Sequence, residues 1–215
     1  MSLSKALVTL AIAAAIAVAG VVLTRQVVAV AAEADAGRLN RSILEYVATK
    51  NPRAPIRAFQ RFPDVLVEEA QRTNLDHCVL LAQAEVESDF RHDAVGRAGE
   101  VGLFQILPST AALFEPAVGP FKRPAYARGV RDLGDLADPV VSTRFALAYL
   151  RDILARKPSL REALTEYNGG PAGRHPHYYR MVMGAYVEVL QRPELKCRLR
   201  EMPRPGPLLT LLSLS

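Results

Sequence analysis

Glu87-Ser88-Asp89-Phe90 closes an apolar helical stretch, and the reading of this chain turns on it. Upstream, Val79, Ala82, Val86 and Phe90 recur at intervals of three and four, which marks one face of a helix and its exit. The pattern predicts a helix from Asn74 to Ser88. Glu87 falls at its end, beside the apolar stripe. Two effects push a carboxylate there toward its neutral form: weakly polar neighbours and the negative end of the helix dipole. Glu85 lies about 200° around the same helix, so the two glutamates cannot face one pocket. Asp89 and Asp93 follow in the loop and read most simply as solvated acids or caps.

Outward from this point the chain reads as helix after helix. Downstream, 91–100 is loop-like, with Gly96 and Gly99. Gly102-Leu103-Phe104-Gln105-Ile106-Leu107 is a short apolar stretch, and Pro108-Ser109-Thr110 starts another helix. Pro116 to Pro124 is loop. Asp138-Pro139 opens a long helix that ends before Pro158. Ser159, with Glu162 three residues on, forms a capping-box pattern over a helix reaching Tyr167. Glu166, just before it, is expected to face solvent. The last clear helix spans Tyr178 to Leu190, with Tyr178, Val182 and Tyr186 on one face. Upstream of the Glu87 helix, Pro63-Asp64 opens a helix to about Thr73, and Glu33 to Lys50 reads as another. No convincing strand or repeat is visible. The fold class is mainly α.

With 215 residues the chain can bury one sizeable core. The net charge of +5 includes Lys5 and Arg25 of the N-terminal segment, and the remaining mild excess is spread along the sequence. A nucleic-acid binder would show a clustered basic stripe, so no nucleic-acid partner is expected. Ala6 to Leu23 is apolar throughout and just long enough to cross a bilayer as a helix. Ala29-Val30-Ala31 beyond it is a pattern that a signal peptidase could cut. Residues 1–31 are thus a signal-anchor or a signal peptide, with the uncleaved single-span anchor preferred because Arg25 intervenes. Residues 32–58 read as a helical lead-in, 59–192 as the compact domain and 193–215 as a C-terminal tail. In either case the body leaves the cytoplasm.

Cys78 and Cys197 could pair in an oxidising compartment, but a buried free thiol at Cys78 is the preferred reading. His175-Pro176-His177 lacks flanking ligands, so an exposed turn is expected there rather than a metal site. No metal and no cofactor are expected.

The chemistry that suits these parts is glycosidic cleavage. Such a bond breaks when its oxygen is protonated while the sugar ring becomes oxocarbenium-like. The acid must keep its proton near neutral pH, which burial achieves. Glu87 is the best-placed acid. Glu87-Ser88-Asp89-Phe90, then Gly99 to Ala111 with its Gly102-Leu103-Phe104-Gln105 core, then Ala163 to Pro171 with Tyr167-Asn168-Gly169-Gly170 stand in one order. In that order, with Asp138-Pro139 and the tyrosines of the final helix, the chain resembles the soluble lytic transglycosylase (SLT) domain family from about Phe62 to Leu190.

The resemblance implies a goose-type lysozyme-like fold with a glycan cleft, preceded here by the N-terminal hydrophobic helix. It also implies cleavage of the β-1,4 bond between N-acetylmuramic acid and N-acetylglucosamine in peptidoglycan, without added water. The family's catalytic glutamate corresponds to Glu87, acting as acid and then as base. Ser88, Gln105, Tyr167, Asn168 and Tyr178 match its substrate-binding and acid-orienting positions. The implied location is the cell envelope: a periplasmic domain on an inner-membrane anchor, or a secreted periplasmic protein. The implied partners are glycan strands, the membrane, and an envelope-spanning secretion or conjugation complex.

Phe104 stands where methionine is usual, Glu100 where a small residue is common, Ser142 where asparagine is frequent and Gly169 where alanine is common. Phe104 and Glu100 bear on substrate preference. Two other readings stay open. One is a hydrolase on the same fold, with Asp89, Asp93 or Glu100 positioning water. The other is a non-catalytic glycan-binding subunit of an envelope assembly.

Overall fold

A computed structural model describes residues 3–127, 130–173 and 175–198, without the side chains of 3–19 and of a few positions around the hairpin and at the start of the last helix. In chain order the helices are α1 (Leu3–Lys50), α2 (Phe62–Thr73), α3 (His77–Ser88), α4 (Pro108–Ala112), α5 (Glu115–Val118), α6 (Pro139–Arg156), α7 (Leu160–Gly169) and α8 (Pro176–Leu190). The mainly helical class read from the sequence is the one found. One correction is a small antiparallel hairpin of β1 (Ala125–Ala127) and β2 (Val130–Asp132), with Ala125 opposite Asp132. Three-residue strands are too short to show a period-two pattern, so they leave no trace in the sequence.

The chain divides into two compact units, Met1–Arg41 and Ser42–Ser215. In the first, Val21, Val22, Leu23, Val27, Val28 and Val30 are exposed. Among the described residues no helix is long and apolar enough to cross a membrane. Most of Ala6 to Leu23 lies where side chains are outside the described residues, and the tail over 199–215 lies outside them altogether.

The second unit takes in part of the stretch expected as a lead-in. Ile43 and Val47 are fully buried there. The Tyr46 hydroxyl donates to Glu85 Oε2 at 2.6 Å, and the Lys50 ammonium bridges Glu85 and Glu188, each at 2.7 Å. Amphipathic spacing alone cannot separate a stalk from a core helix; these long-range pairs decide it.

Local chemistry sets each element's ends. Asp76 caps α3 by accepting from the Cys78 amide at 3.0 Å, so α3 starts three residues later than the spacing suggested. Asp138 caps α6 through the amides of Val140 and Val141, with Pro139 at the first helical position. Ser159 caps α7 through the Glu162 amide. α3 is buried from His77 to Ala84 on all sides and packs most extensively against α8. Tyr178, Val182 and Tyr186 form the buried face of α8. Tyr186 donates to the capping Asp76 at 3.0 Å, which ties the end of one helix to the start of the other.

Two further expectations are corrected. Cys78 is not a free thiol but is disulfide-bonded to Cys197, 119 residues on, with the Cα atoms 5.6 Å apart. Glu166 does not face solvent. It is buried and paired with Arg156 and Lys157 at 2.5 and 2.8 Å, and Arg156 holds its pKa below the usual carboxylate value. The cations come from the end of α6, which a reading of α7 alone does not see.

Candidate active site

Glu87 occupies the last turn of α3, and the backbone breaks sharply behind it. Asp89 and Phe90 both adopt left-handed angles, φ 50° and 55°. Two consecutive non-glycine residues in that region carry strain, offset here by complete burial of the Phe90 ring against Tyr46. The turn sends the chain away from the helix end and leaves Glu87 on the wall of an open cleft.

The cleft has a volume of about 420 Å³, and its lining includes Glu87, Glu100, Gln105, Tyr149, Tyr167 and Asn168. That volume is on the scale of small-ligand sites. The Tyr178 hydroxyl reaches Glu87 from α8 and donates to its Oε1 at 2.5 Å. Burial pushes the Glu87 pKa up to about 7, the Tyr178 bond opposes the rise, and the charge on Glu100 adds to it. A carboxyl group that titrates there can deliver a proton at neutral pH and take one back. Glu85 is turned away onto Tyr46 and Lys50.

The Gly-Leu-Phe-Gln turn reaches the cleft lining at Gln105, followed by Ile106 and Leu107. Val101 bridges both Val95 and Ile106. Gly102 has φ +86°, and a Cβ there would come within 2.0 Å of the Leu136 carbonyl oxygen, so glycine is required. Gln105 lines the cleft while its Nε2 donates to the Gly102 and Ala94 carbonyls at 2.8 and 3.2 Å, which fixes the side chain against its own loop. Tyr167 lines the cleft with its ring, and its hydroxyl donates to the Phe104 carbonyl at 2.9 Å. Burial and the Glu87 carboxyl hold that phenol's pKa far above its usual value, so it stays neutral. Asn168 is exposed and lines the cleft.

The structure therefore gathers Glu87, Gln105, Tyr167, Asn168 and Tyr178 around one place, four of them on the lining and Tyr178 behind Glu87. Ser88 is different. Expected to bind substrate, it is buried, and its hydroxyl donates to the Leu103 carbonyl at 2.8 Å. It fastens α3 to the Gly-Leu-Phe-Gln turn. Phe104 is corrected as well: it is fully buried and cannot shape a sugar subsite directly. Its amide donates to Ser142 Oγ at 3.3 Å.

Tyr149 was missed. It lies on the lining, its ring 5.3 Å from that of Tyr167. Within α6 its spacing looks like core, and only the fold shows that it borders a cleft. Of the acids considered for a second carboxylate, Asp89 and Asp93 are exposed in the loop, whereas Glu100 lines the cleft. Gly96 makes room for it: a Cβ there would come within 2.1 Å of Glu100 Oε2. The same oxygen accepts from the Ala98 amide at 3.0 Å. Among the described residues, the acidic and sulfur ligands that cluster are Asp76 with Cys78 and Cys197, and the disulfide withdraws both sulfurs from metal binding.

A lysozyme-like helical fold with a half-buried acid on the cleft wall defines a class, and comparison with known proteins supplies the family. The sequence profile of the transglycosylase SLT domain matches residues 64–178, more than half of the chain, and the chain belongs to that family. Among solved structures it is similar to an inactive mutant of the lytic transglycosylase Slt from Pseudomonas aeruginosa. The TM-score is 0.50 and the identity 23%, covering 64% of this chain and 26% of that one. It also matches the 70 kDa soluble lytic transglycosylase SLT70 from Escherichia coli with a TM-score of 0.42 and 23% identity, over 65% of this chain and 23% of that one. This chain thus spans about a quarter of the length of those proteins. No curated protein sequence matches it.

Proposed function

We propose that the chain is a peptidoglycan lytic transglycosylase that cleaves the β-1,4 bond between N-acetylmuramic acid and N-acetylglucosamine. The observation that carries this reading is Glu87, set in the cleft with a pKa raised to about 7 and held at one oxygen by Tyr178. Protonated Glu87 gives its proton to the leaving oxygen as the bond to C1 breaks. The resulting carboxylate then takes the proton of the muramyl C6 hydroxyl, and that oxygen closes onto C1 to give a 1,6-anhydro end. The proton count balances on one residue, and no water, metal or cofactor is consumed. The substrate's N-acetyl group assists at C1. Asn168 and Gln105 line the cleft, which supports reading them as the amides that would bind the glycan.

A second reading is hydrolysis on the same fold, and Glu100 favours it as a carboxylate on the same cleft. Digestion of purified sacculi followed by weighing of the fragments separates the two. Anhydro ends are lighter by one water than hydrolysed ends, and Glu87→Gln should abolish both. Undiminished glycan cleavage by Glu87→Gln would overturn both readings.

Peptidoglycan places the domain outside the cytoplasm, and the Cys78–Cys197 disulfide supports an oxidising compartment. The apolar run Ala6 to Leu23 is the part of the sequence that would hold it at a membrane, unless cleavage after Ala31 removes it. Sequencing the mature N-terminus from a membrane fraction checks this. An envelope-spanning assembly is the partner that such a tethered cutter would serve.

A further inference from the structure

Gln83 lies in α3 one turn before Glu87 and is fully buried. Neither its Nε2 nor its Oε1 closes a hydrogen bond. A buried amide left without partners costs folding free energy that an apolar side chain of the same size would not. Positions 83 and 87 are four apart and share one face of α3. Tyr178 of α8 packs against that face, with its hydroxyl on Glu87 Oε1 at 2.5 Å. The Gln83 amide lies close enough to the same phenol to favour its ionised form as a hydrogen-bond donor, against burial and the Glu87 and Tyr167 neighbours, although the contact falls short of a closed hydrogen bond. Gln83 and Glu87 therefore flank one hydroxyl.

A phenol has one proton to donate and lone pairs that accept. An amide N–H aimed at the oxygen occupies a lone pair, leaves the proton for Glu87 and polarises the O–H bond. Such contacts are often long in an empty site and tighten when substrate binds. We propose that Gln83 is a positioning residue, its amide fixing the Tyr178 hydroxyl as a donor to Glu87 Oε1, so that Glu87 carries its transferable proton on Oε2. The inference rests on the reading of Glu87 as the acid. It gives the unpartnered amide a reason to be there. The titratable groups that face Glu87 are Tyr178 of α8, Tyr167 of α7 and Glu100 of the loop.

The test uses Gln83→Met and Gln83→Leu, each in the wild-type and Tyr178→Phe backgrounds, assayed on soluble glycan strands. The melting temperature should stay at or above that of the wild type, because an unpaired amide is replaced by apolar volume. The kcat should fall roughly tenfold with KM within about twofold, the size of one hydrogen bond lost in the transition state. The alkaline limb of kcat should move to higher pH. The Glu87 carboxyl titration, followed by carbon-13 NMR and needing no turnover, should move the same way. In the Tyr178→Phe background the substitutions should add nothing. The proposal is overturned if kcat and the titration stay at wild-type values, if the loss persists without the Tyr178 hydroxyl, or if both variants melt earlier. Glu87→Gln is the control: cleavage surviving there sinks the acid reading itself, whereas its loss beside wild-type behaviour of both Gln83 variants sinks this inference alone.

Discussion

Glu87 pays for its reactivity in stability, and the sign of that cost can be worked out. Its folded pKa of about 7 lies above the ordinary carboxylate value of 4.5. Between those values the native state binds a proton that the unfolded state has released, so stability falls as pH rises through this window. Glu87→Gln removes the effect. The variant should be more stable than the wild type at pH 8, by up to about 3 kcal/mol, and level with it below pH 4.5, as urea melts across pH will show. Tyr178→Phe acts in the opposite direction on the same group. The bond it removes lowers the Glu87 pKa, so the alkaline limb of kcat should rise by about one pH unit while kcat drops. Glu87 is legible as a candidate residue, because an acid at a helix end beside an apolar stripe is a local pattern, whereas Gln105 and Asn168 enter only through the resemblance to the SLT family. The place of Ser88 is not legible. Whether a hydroxyl next to the acid faces the cleft or the Gly-Leu-Phe-Gln turn depends on Leu103, fifteen residues on.

At the scale of elements, the Gly102–Leu107 turn is the part most sensitive to change. It is held to α3 by Ser88, to α7 by Tyr167 and to α6 by Ser142, in each case through backbone groups of Leu103 or Phe104. Ser88→Ala leaves the Leu103 carbonyl without that donor and should cost about 1–2 kcal/mol in chemical denaturation. Gly102→Ala should cost more, because it meets both a left-handed φ and the Leu136 carbonyl. The helices themselves were readable from caps and prolines: Asp138-Pro139, Ser159 and Pro63 stand where the chain begins to coil. The β1–β2 hairpin and the ion-paired burial of Glu166 were not readable, since both are made by segments too short or too distant to leave a periodic trace.

For the packed unit as a whole, the Cys78–Cys197 bond closes a loop of 119 residues around the helical core. Chain-entropy reasoning puts its contribution at about 4–5 kcal/mol as an upper figure. Cys197→Ser should lower the melting temperature clearly while leaving kcat below the transition unchanged, because neither sulfur touches the cleft. The two cysteines could be counted in the sequence, but their separation could not. Cys197 reaches Cys78 because the chain after α8 turns back toward the start of α3, where the Leu195 carbonyl lies 2.8 Å from His77 Nε2.

The account depends on a carboxylic acid that keeps its proton at neutral pH. Titrating the Glu87 carboxyl in the folded wild-type protein by carbon-13 NMR, assigned with Glu87→Gln, measures this directly. The account requires a midpoint near 7. A midpoint near the ordinary 4.5 would leave Glu87 ionised at neutral pH and contradict it.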